Sequence, residues 1–247
     1  MKNQRIFLIV FSLFISTLLI GQEKVTFEAK DGLTVTADVY GTNPDFRYVL
    51  LFHQAGYSRG EYKETQNIFG KIGYNCIAVD LRSGKEANFV QNETAALAEE
   101  KGLSTTYLDA EADMIAAIDY AYEKNQKPVL IVGSSYSASL VLKIAKNNPK
   151  VVAVVAFSPG EYFGADFSVK DFLSGYDKPI FVSANQHEFP SIVEMTSNVP
   201  SELKTLFKPG KDKKGMHGSR ILWSSSDSYK DVRFDLLRFL TKYKNIQ

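Results

Sequence analysis

Five continuous apolar runs, separated by segments with helical spacing, constrain this chain more than any other feature. The runs are RYVLLFH, YNCIAVD, PVLIVG, VVAVVAFS and PIFVSA, and each has the length of a strand that is covered on both faces. The segments between them, such as TYLDAEADMIAAIDYAYEKN, repeat apolar residues at helical intervals. Because strand and helix alternate, the pattern predicts an α/β fold with a mostly parallel central sheet and helices on both faces.

Elements of a different kind are predicted at the two ends of this pattern. KVTFEA and LTVTADVY alternate apolar and polar residues around Asp31-Gly32, which is typical of an antiparallel hairpin. LKTLFKP predicts a last strand, and SYKDVRFDLLRFLTKY predicts an amphipathic helix. The apolar side of that helix should comprise Val232, Leu236, Leu237 and Leu240.

Two connecting segments bear on how open the molecule is. Residues 82–106 are polar and follow a strand end, so we expect a rim loop with a short helix there. The segment between VVAVVAFSP and DKPIFVSA is too short for a large lid. The sequence therefore predicts a single domain with an open upper edge.

The first 21 residues have the features of a secretory signal peptide. Lys2 and Arg5 precede an apolar run that ends before Gly21. A membrane anchor is the alternative, but the run has about 15 apolar residues where a span needs about 20. We predict a leader at 1–21, a mature domain at 22–247, and a secreted or periplasmic location, with membrane contact only through an uncleaved leader.

Composition favours a small-molecule partner. The chain has 29 basic and 28 acidic residues and a net charge of +1, so no overall field would attract nucleic acid or a membrane surface. The single cysteine, Cys76, lies in an apolar run and should be a buried thiol. Neither a phosphate-binding glycine motif nor a cluster of metal ligands is present in the sequence, so we expect no cofactor and no metal.

Polar groups follow four of the predicted strands at the edge where ligands bind in parallel sheets. They are His53-Gln54-Ala55-Gly56 after RYVLLF, Gly133-Ser134-Ser135-Tyr136-Ser137 after PVLIV, Asn185-Gln186-His187-Glu188 after PIFVSA, and Gly215-Met216-His217-Gly218 after LKTLFKP.

The serine-rich turn contains the candidate nucleophile. A sharp strand-to-helix turn with small residues on both sides of a central serine exposes that serine above the sheet. Gly133 and Ser137 flank Ser135 in this way, so Ser135 is the predicted nucleophile. Ser134 and Ser137 are alternatives, but their places in the turn favour capping and packing.

A serine nucleophile needs a base, and the chain contains three histidines. His217 is the preferred base, because its glycine-flanked loop follows the last strand. Glu188 is the predicted carboxylate that orients the imidazole. His187 is the rival base, whereas His53 should brace the loop that follows its strand.

The order Ser135, Glu188, His217, with the serine in a turn after a buried strand, resembles the α/β-hydrolase superfamily and its dienelactone-hydrolase-like branch. The resemblance implies the α/β-hydrolase fold across the mature chain, and an oxyanion hole formed by the backbone amides of Tyr136 and Gln54. The chain departs from the superfamily pattern in having Gly-x-Ser-x-Ser at the turn and glutamate as the acid.

We therefore expect a secreted or periplasmic serine hydrolase that cleaves small to medium carboxylic esters through an acyl-enzyme. Four rim side chains are candidates for substrate binding: Tyr57, Arg82, Tyr162 and Trp223. Packing for the aromatic residues and a salt bridge for Arg82 are the alternatives. A non-catalytic binding protein, a peptidase and an acyltransferase remain open, since one scaffold supports all of them.

Overall fold

The structure is a computed structural model that describes residues 22–244, so the predicted signal peptide lies outside the described residues. The strands are β1 (Gln22–Glu28), β2 (Thr34–Tyr40), β3 (Tyr48–Phe52), β4 (Asn75–Val79), β5 (Glu86–Ala87), β6 (Val90–Gln91), β7 (Val129–Ser134), β8 (Val151–Phe157), β9 (Ile180–Ser183) and β10 (Lys204–Phe207). The α-helices are α1 (Gln66–Gly70), α2 (Glu93–Glu100), α3 (Ala110–Asn125), α4 (Tyr136–Ala145), α5 (Val169–Phe172), α6 (Phe189–Met195) and α7 (Tyr229–Tyr243).

Eight of the strands form one sheet in the order β1-β2-β4-β3-β7-β8-β9-β10. The pairs β1·β2 and β2·β4 are antiparallel, and all pairs from β4 to β10 are parallel. The predicted mostly parallel sheet with an antiparallel N-terminal hairpin is therefore confirmed. Since β3, β7, β8, β9 and β10 run in one direction, the segments that follow them emerge at the same edge of the sheet.

The sheet separates two apolar cores. Leu50 and Ile131 face one core together with α3 and α4, whereas Leu51 and Val132 face the other core together with α1 and α7. Every residue of β3 and β7 is buried, as the continuous apolar runs predict for strands covered on both sides. The expected helices on both faces are confirmed.

Helix α7 covers the second core with a slightly different stripe from the predicted one. Val232, Leu236, Phe239 and Leu240 are buried, whereas Leu237 is only half-buried. Positions 232, 236, 239 and 240 lie on one side of a helix with 3.6 residues per turn, and position 237 lies off that stripe.

The rim segment 82–106 contains the expected short helix, α2, and also the unpredicted hairpin β5–β6. The side chain of Asn92 caps α2 by accepting a hydrogen bond from the Ala95 amide at 2.8 Å, and it is 3% exposed. Between β8 and β9 the chain forms the four-residue helix α5, in agreement with the absence of a large lid. None of the helices in the described part of the chain is both long and apolar enough to span a bilayer.

The packing of α7 leads to a prediction about stability. Leu236→Ala should lower the free energy of unfolding by about 2–5 kcal/mol, because it removes a fully buried side chain from the second core. Phe234→Ala on the same helix is the control: this side chain is 63% exposed, so the change should stay within about 0.5 kcal/mol. Urea unfolding followed by circular dichroism measures both, and equal losses would contradict the assignment of the buried face.

Candidate active site

The turn between β7 and α4 has a strained backbone at Ser135. This residue has φ 61° and ψ −122°, in the region that residues other than glycine rarely adopt. A Cβ atom at Gly133 would lie 2.4 Å from the carbonyl oxygen of Ser137, so only glycine fits there. The turn therefore has the geometry of a nucleophile elbow, with Ser135 at its tip.

The serine that ends the Gly-x-Ser-x-Ser pattern has a structural role. The Ser137 hydroxyl accepts a hydrogen bond from the Ser134 amide at 2.8 Å and donates one to the carbonyl of Phe52 in β3 at 2.9 Å. Serine thus fits where glycine is usual, and its hydroxyl ties the elbow to the neighbouring strand.

Glu188 and His217 form a carboxylate–imidazole pair at the same edge of the sheet. His217 Nδ1 lies 2.6 Å from Glu188 Oε1, and the Ser158 hydroxyl donates to Glu188 Oε2 at 2.7 Å. Burial raises the pKa of Glu188, but the hydrogen bonds from His217 and Ser158 together bring it below its ordinary value. Since an ionised carboxylate only accepts, Nδ1 carries the proton and Nε2 is left to act as a base.

The turn that carries His217 is attached to the elbow. Gly218 packs so closely that a Cβ atom there would lie 2.4 Å from the Ser134 hydroxyl oxygen, and the Ser219 amide donates to the same oxygen at 2.8 Å. Within residues 22–244 no hydrogen bond joins Ser135 to the His217 ring, and the Ser135 hydroxyl lies near the hydroxyl of Tyr162. Catalytic hydrogen bonds are often long before substrate binds.

Two residues that sequence reasoning missed hold the acid–base pair in place. Besides binding Glu188, the Ser158 hydroxyl accepts a hydrogen bond from the Gly218 amide at 2.9 Å. The Asp227 carboxylate accepts hydrogen bonds from the amides of Lys214 and Gly215 at 2.7 and 2.9 Å. Ser158 directly follows β8, so its place at a strand end was a signal that could have identified it.

The loop after β3 differs from the expected oxyanion site. The Gln54 amide donates to the buried carboxylate of Glu61 at 2.7 Å, which argues against Gln54 as an oxyanion donor. The Ala55 amide donates to no acceptor within the described residues. The Tyr136 amide is the first of α4 and has no intrahelical acceptor. The amides of Ala55 and Tyr136 thus have no protein acceptor within the described residues, unlike the amide of Gln54.

His53 braces this loop, as the sequence predicts. Its Nε2 accepts a hydrogen bond from the Leu81 amide at 2.9 Å, so Nδ1 carries the proton and donates to the Gln54 carbonyl at 2.8 Å. Burial lowers the pKa of His53 to about 4. The ring is thus neutral and structural.

The four predicted substrate-binding side chains have different surroundings. Arg82 is 4% exposed and forms ion pairs with Asp113 at 2.7 Å and Asp31 at 2.6 Å, so the salt-bridge alternative is the one observed. The Trp223 indole donates to the Glu61 carbonyl at 3.1 Å. The Tyr57 ring lies 6.0 Å from the Arg220 guanidinium. Of the four residues, Tyr162 lines the cavity beside Glu188.

That cavity has a volume of about 450 Å³, and Tyr162, His187 and Glu188 contribute to its wall. His187, the rival base, is exposed at this rim, whereas His217 binds the carboxylate. Cys76 is buried, as predicted, and burial raises the pKa of its thiol. Among residues 22–244 no group of three or more His, Cys, Asp or Glu side chains is arranged to hold a metal ion.

The close contact at Gly133 leads to a second prediction. Gly133→Ala should prevent folding or lower the free energy of unfolding by about 3 kcal/mol or more, because the added methyl group would meet backbone atoms that cannot move aside. Gly70→Ala, where a Cβ would meet nothing within 4 Å, is the matched control and should change stability little. Soluble yield and thermal unfolding of the two variants measure the difference, and similar behaviour would contradict the close packing at the elbow.

His53 leads to a prediction about pH. Its folded pKa of about 4 lies below the ordinary 6.5, so between these values the unfolded chain binds more protons than the folded one. The contribution of neutral His53 to the free energy of unfolding is therefore fully present above pH 6.5. It is lost as the pH falls to 4, a change of about 3 kcal/mol. The difference in unfolding free energy between wild type and His53→Gln should shrink by this amount from pH 7 to pH 4. A difference independent of pH would show that His53 is not buried in its neutral form.

Comparisons with known proteins agree with this architecture. No family model and no curated protein matches the sequence. An esterase of Pyrococcus furiosus is 14% identical, with a TM-score of 0.69 over 92% of both chains. A dienelactone hydrolase from Anabaena variabilis is 15% identical, with a TM-score of 0.69 over 91% of this chain and 99% of that one. An esterase domain from Rhodothermus marinus is 15% identical, with a TM-score of 0.61 over 90% of this chain and 99% of that one. The expected resemblance is thereby confirmed at the level of architecture: this chain has the α/β-hydrolase fold.

Proposed function

We propose that this protein is a secreted or periplasmic serine hydrolase that cleaves small to medium carboxylic esters through an acyl-enzyme. The observation that carries the proposal is the 2.6 Å contact between His217 Nδ1 and Glu188 Oε1, on a turn that packs against the elbow of Ser135. The esterases and the dienelactone hydrolase among the structural neighbours support hydrolysis as the reaction. The location rests on the leader-like residues 1–21.

The contact between Glu188 and His217 determines which atom accepts the proton of Ser135. Ser135 Oγ attacks the ester carbonyl carbon while its proton passes to Nε2 of His217. Glu188 stabilises the resulting imidazolium through Nδ1. The tetrahedral intermediate then collapses, the bond to the alkoxy group breaks, and His217 returns the proton to the leaving alcohol. Water repeats the sequence on the acyl-enzyme and releases the carboxylic acid.

The oxyanion that develops during attack needs donors that are already in place. We assign these to the amides of Ala55 and Tyr136, which flank the elbow from the β3 loop and from the start of α4. Donors of this kind each contribute about 10²- to 10³-fold to the rate. The contact between Gln54 and Glu61 holds the preceding peptide of the β3 loop in position.

The shape of the site supports substrates of limited size. The cavity of about 450 Å³ is lined by Glu188 and Tyr162 but not by Ser135 or His217, so it adjoins the proposed nucleophile and could hold only part of a small substrate. The segment between β8 and β9 contains only the four-residue helix α5, in place of a helical lid. Because Arg82 is engaged with two aspartates, it does not serve as a receptor for a substrate carboxylate.

This mechanism predicts that Ser135→Ala lowers turnover of p-nitrophenyl butyrate by about 10⁴-fold or more and abolishes labelling by a fluorophosphonate probe. The reason is that no other described hydroxyl is placed at the strained tip of the elbow. Ser197→Ala, on the exposed surface after α6, is the control and should behave as wild type. Thermal unfolding of both variants establishes that they are folded.

Three outcomes would change the proposal. Retained turnover in folded Ser135→Ala would exclude Ser135 as the nucleophile. A wild-type protein that neither labels nor hydrolyses esters would favour the binding-protein alternative. Preferential cleavage of amides, or transfer of the acyl group to an added alcohol, would instead indicate a peptidase or an acyltransferase.

A further inference from the structure

A buried carboxylate, that of Glu61, lies behind the elbow and takes no part in the mechanism above. It is fully buried. Its Oε1 accepts hydrogen bonds from the hydroxyls of Ser219 at 2.6 Å and Ser134 at 2.7 Å. Its Oε2 accepts the backbone amide of Gln54 at 2.7 Å, and the side-chain amide of the same glutamine lies 3.4 Å from Oε1. Three side chains from distant parts of the sequence thus surround one carboxylate.

The hydrogen-bond directions fit the ionised form of Glu61. The Ser134 hydroxyl oxygen accepts the Ser219 amide, so its own proton is free to point at the carboxylate. Burial raises the pKa of Glu61 above its ordinary value, and the hydrogen bonds from Ser219, Gln54 and Ser134 oppose that rise by stabilising the carboxylate. Since its partners all donate, the ionised carboxylate satisfies each of them at once.

Each partner of Glu61 belongs to a different segment of the proposed active site. Gln54 directly precedes Ala55, the assigned oxyanion donor. Ser134 directly precedes the nucleophile, and Ser219 follows the base by two residues. One side chain therefore connects the three loops on which the oxyanion amide, the nucleophile and the base are carried.

The backbone that carries Glu61 is itself held firmly. Arg59, two residues before it, forms ion pairs with two buried carboxylates, those of Asp38 at 3.0 Å and Asp80 at 2.5 Å. The Tyr62 hydroxyl donates to a carbonyl of β3 at 2.8 Å, and the Trp223 indole donates to the carbonyl of Glu61 at 3.1 Å. A side chain can set the positions of neighbouring loops only if its own backbone is fixed, and these contacts fix the backbone of Glu61.

We propose that Glu61 is a positioning residue of the serine hydrolase proposed above, on which this inference rests. Its carboxylate sets the positions of the β3 loop, the elbow and the His217 turn relative to one another. It contacts neither substrate nor the reacting atoms. A displacement of about 1 Å between catalytic groups can cost about 10²-fold in rate, so the loss of this anchor should affect the chemical step.

The test is Glu61→Gln, which keeps the shape of the side chain and removes its charge. We expect kcat for p-nitrophenyl butyrate to fall about 10²-fold while KM changes by less than about threefold, because Glu61 is fully buried and has no surface for substrate to contact. The rate of fluorophosphonate labelling should fall in parallel with kcat. Leu240→Ala, a fully buried residue of α7 outside this network, is the control for lost stability and should keep the wild-type kcat.

Ser219→Ala tests the same connection by changing a hydrogen-bond partner of Glu61 instead of Glu61 itself. It removes the hydroxyl that ties the His217 turn to Glu61, so kcat should fall by about tenfold. The double variant Glu61→Gln/Ser219→Ala should have nearly the kcat of Glu61→Gln alone, because both changes break one connection. If Glu61→Gln does not fold, Ser219→Ala decides the question alone.

Ser135→Ala, assayed in parallel, separates the two proposals. If Ser135→Ala is inactive while Glu61→Gln and Ser219→Ala keep the wild-type kcat, the positioning role is overturned and the hydrolase assignment stands. If Glu61→Gln changes KM and leaves kcat unaltered, the positioning role is likewise overturned. If Ser135→Ala itself retains turnover, the proposed function fails, and the role of Glu61 in it fails too.

Discussion

The complete burial of the central strands is the constraint on which the rest of this structure depends. Every residue of β3 and β7 is buried, because each strand contributes to apolar cores on both faces of the sheet. Polar chemistry therefore has room only where these strands end. The parallel arrangement collects those ends at one edge, and the groups that follow β3, β7, β8 and β9 come together there although they lie far apart in sequence.

Serine hydroxyls supply much of the local order at this edge. Ser137 ties the elbow to β3, Ser158 joins the acid to the turn of the base, and Ser134 links that turn to the elbow. A hydroxyl can donate and accept at the same time, so a small side chain can join two segments where space is limited. The serine content of PVLIVGSSYSAS reflects this function as well as the proposed nucleophile.

The fold was predictable from sequence to a large extent, because strands that are buried on both faces have continuous apolar runs in their sequence. The strands of the large sheet followed from those runs or from the alternation in the N-terminal hairpin, except β10, which was predicted separately from LKTLFKP and is largely half-buried. The stripe of α7 was nearly right, with Leu237 named in place of Phe239. The hairpin β5–β6 was missed, because strands of two residues leave no periodic pattern.

The candidate site was predictable in part. Glu188 and His217 were identified from their positions after strands, and the structure brings them into contact. Glu61 could not be recognised, because EYKETQN has the polar character of an exposed helix, and only the tertiary fold turns that carboxylate inward. The acceptor of the Gln54 amide was missed for the same reason, since the carboxylate of Glu61 lies seven residues further along and the contact is visible only in the structure.

The position of Asn92 has a practical consequence for producing this protein. It begins an Asn-Glu-Thr tripeptide, a sequence that eukaryotic secretory machinery glycosylates, yet its side-chain amide is enclosed and donates to the Leu81 carbonyl at 2.9 Å. A sugar attached to the nascent chain would occupy the nitrogen that the folded protein needs inside. Expression in a bacterial host avoids this conflict between modification and folding, whereas changing Thr94 would remove a fully buried hydroxyl that accepts the Thr36 amide at 2.9 Å.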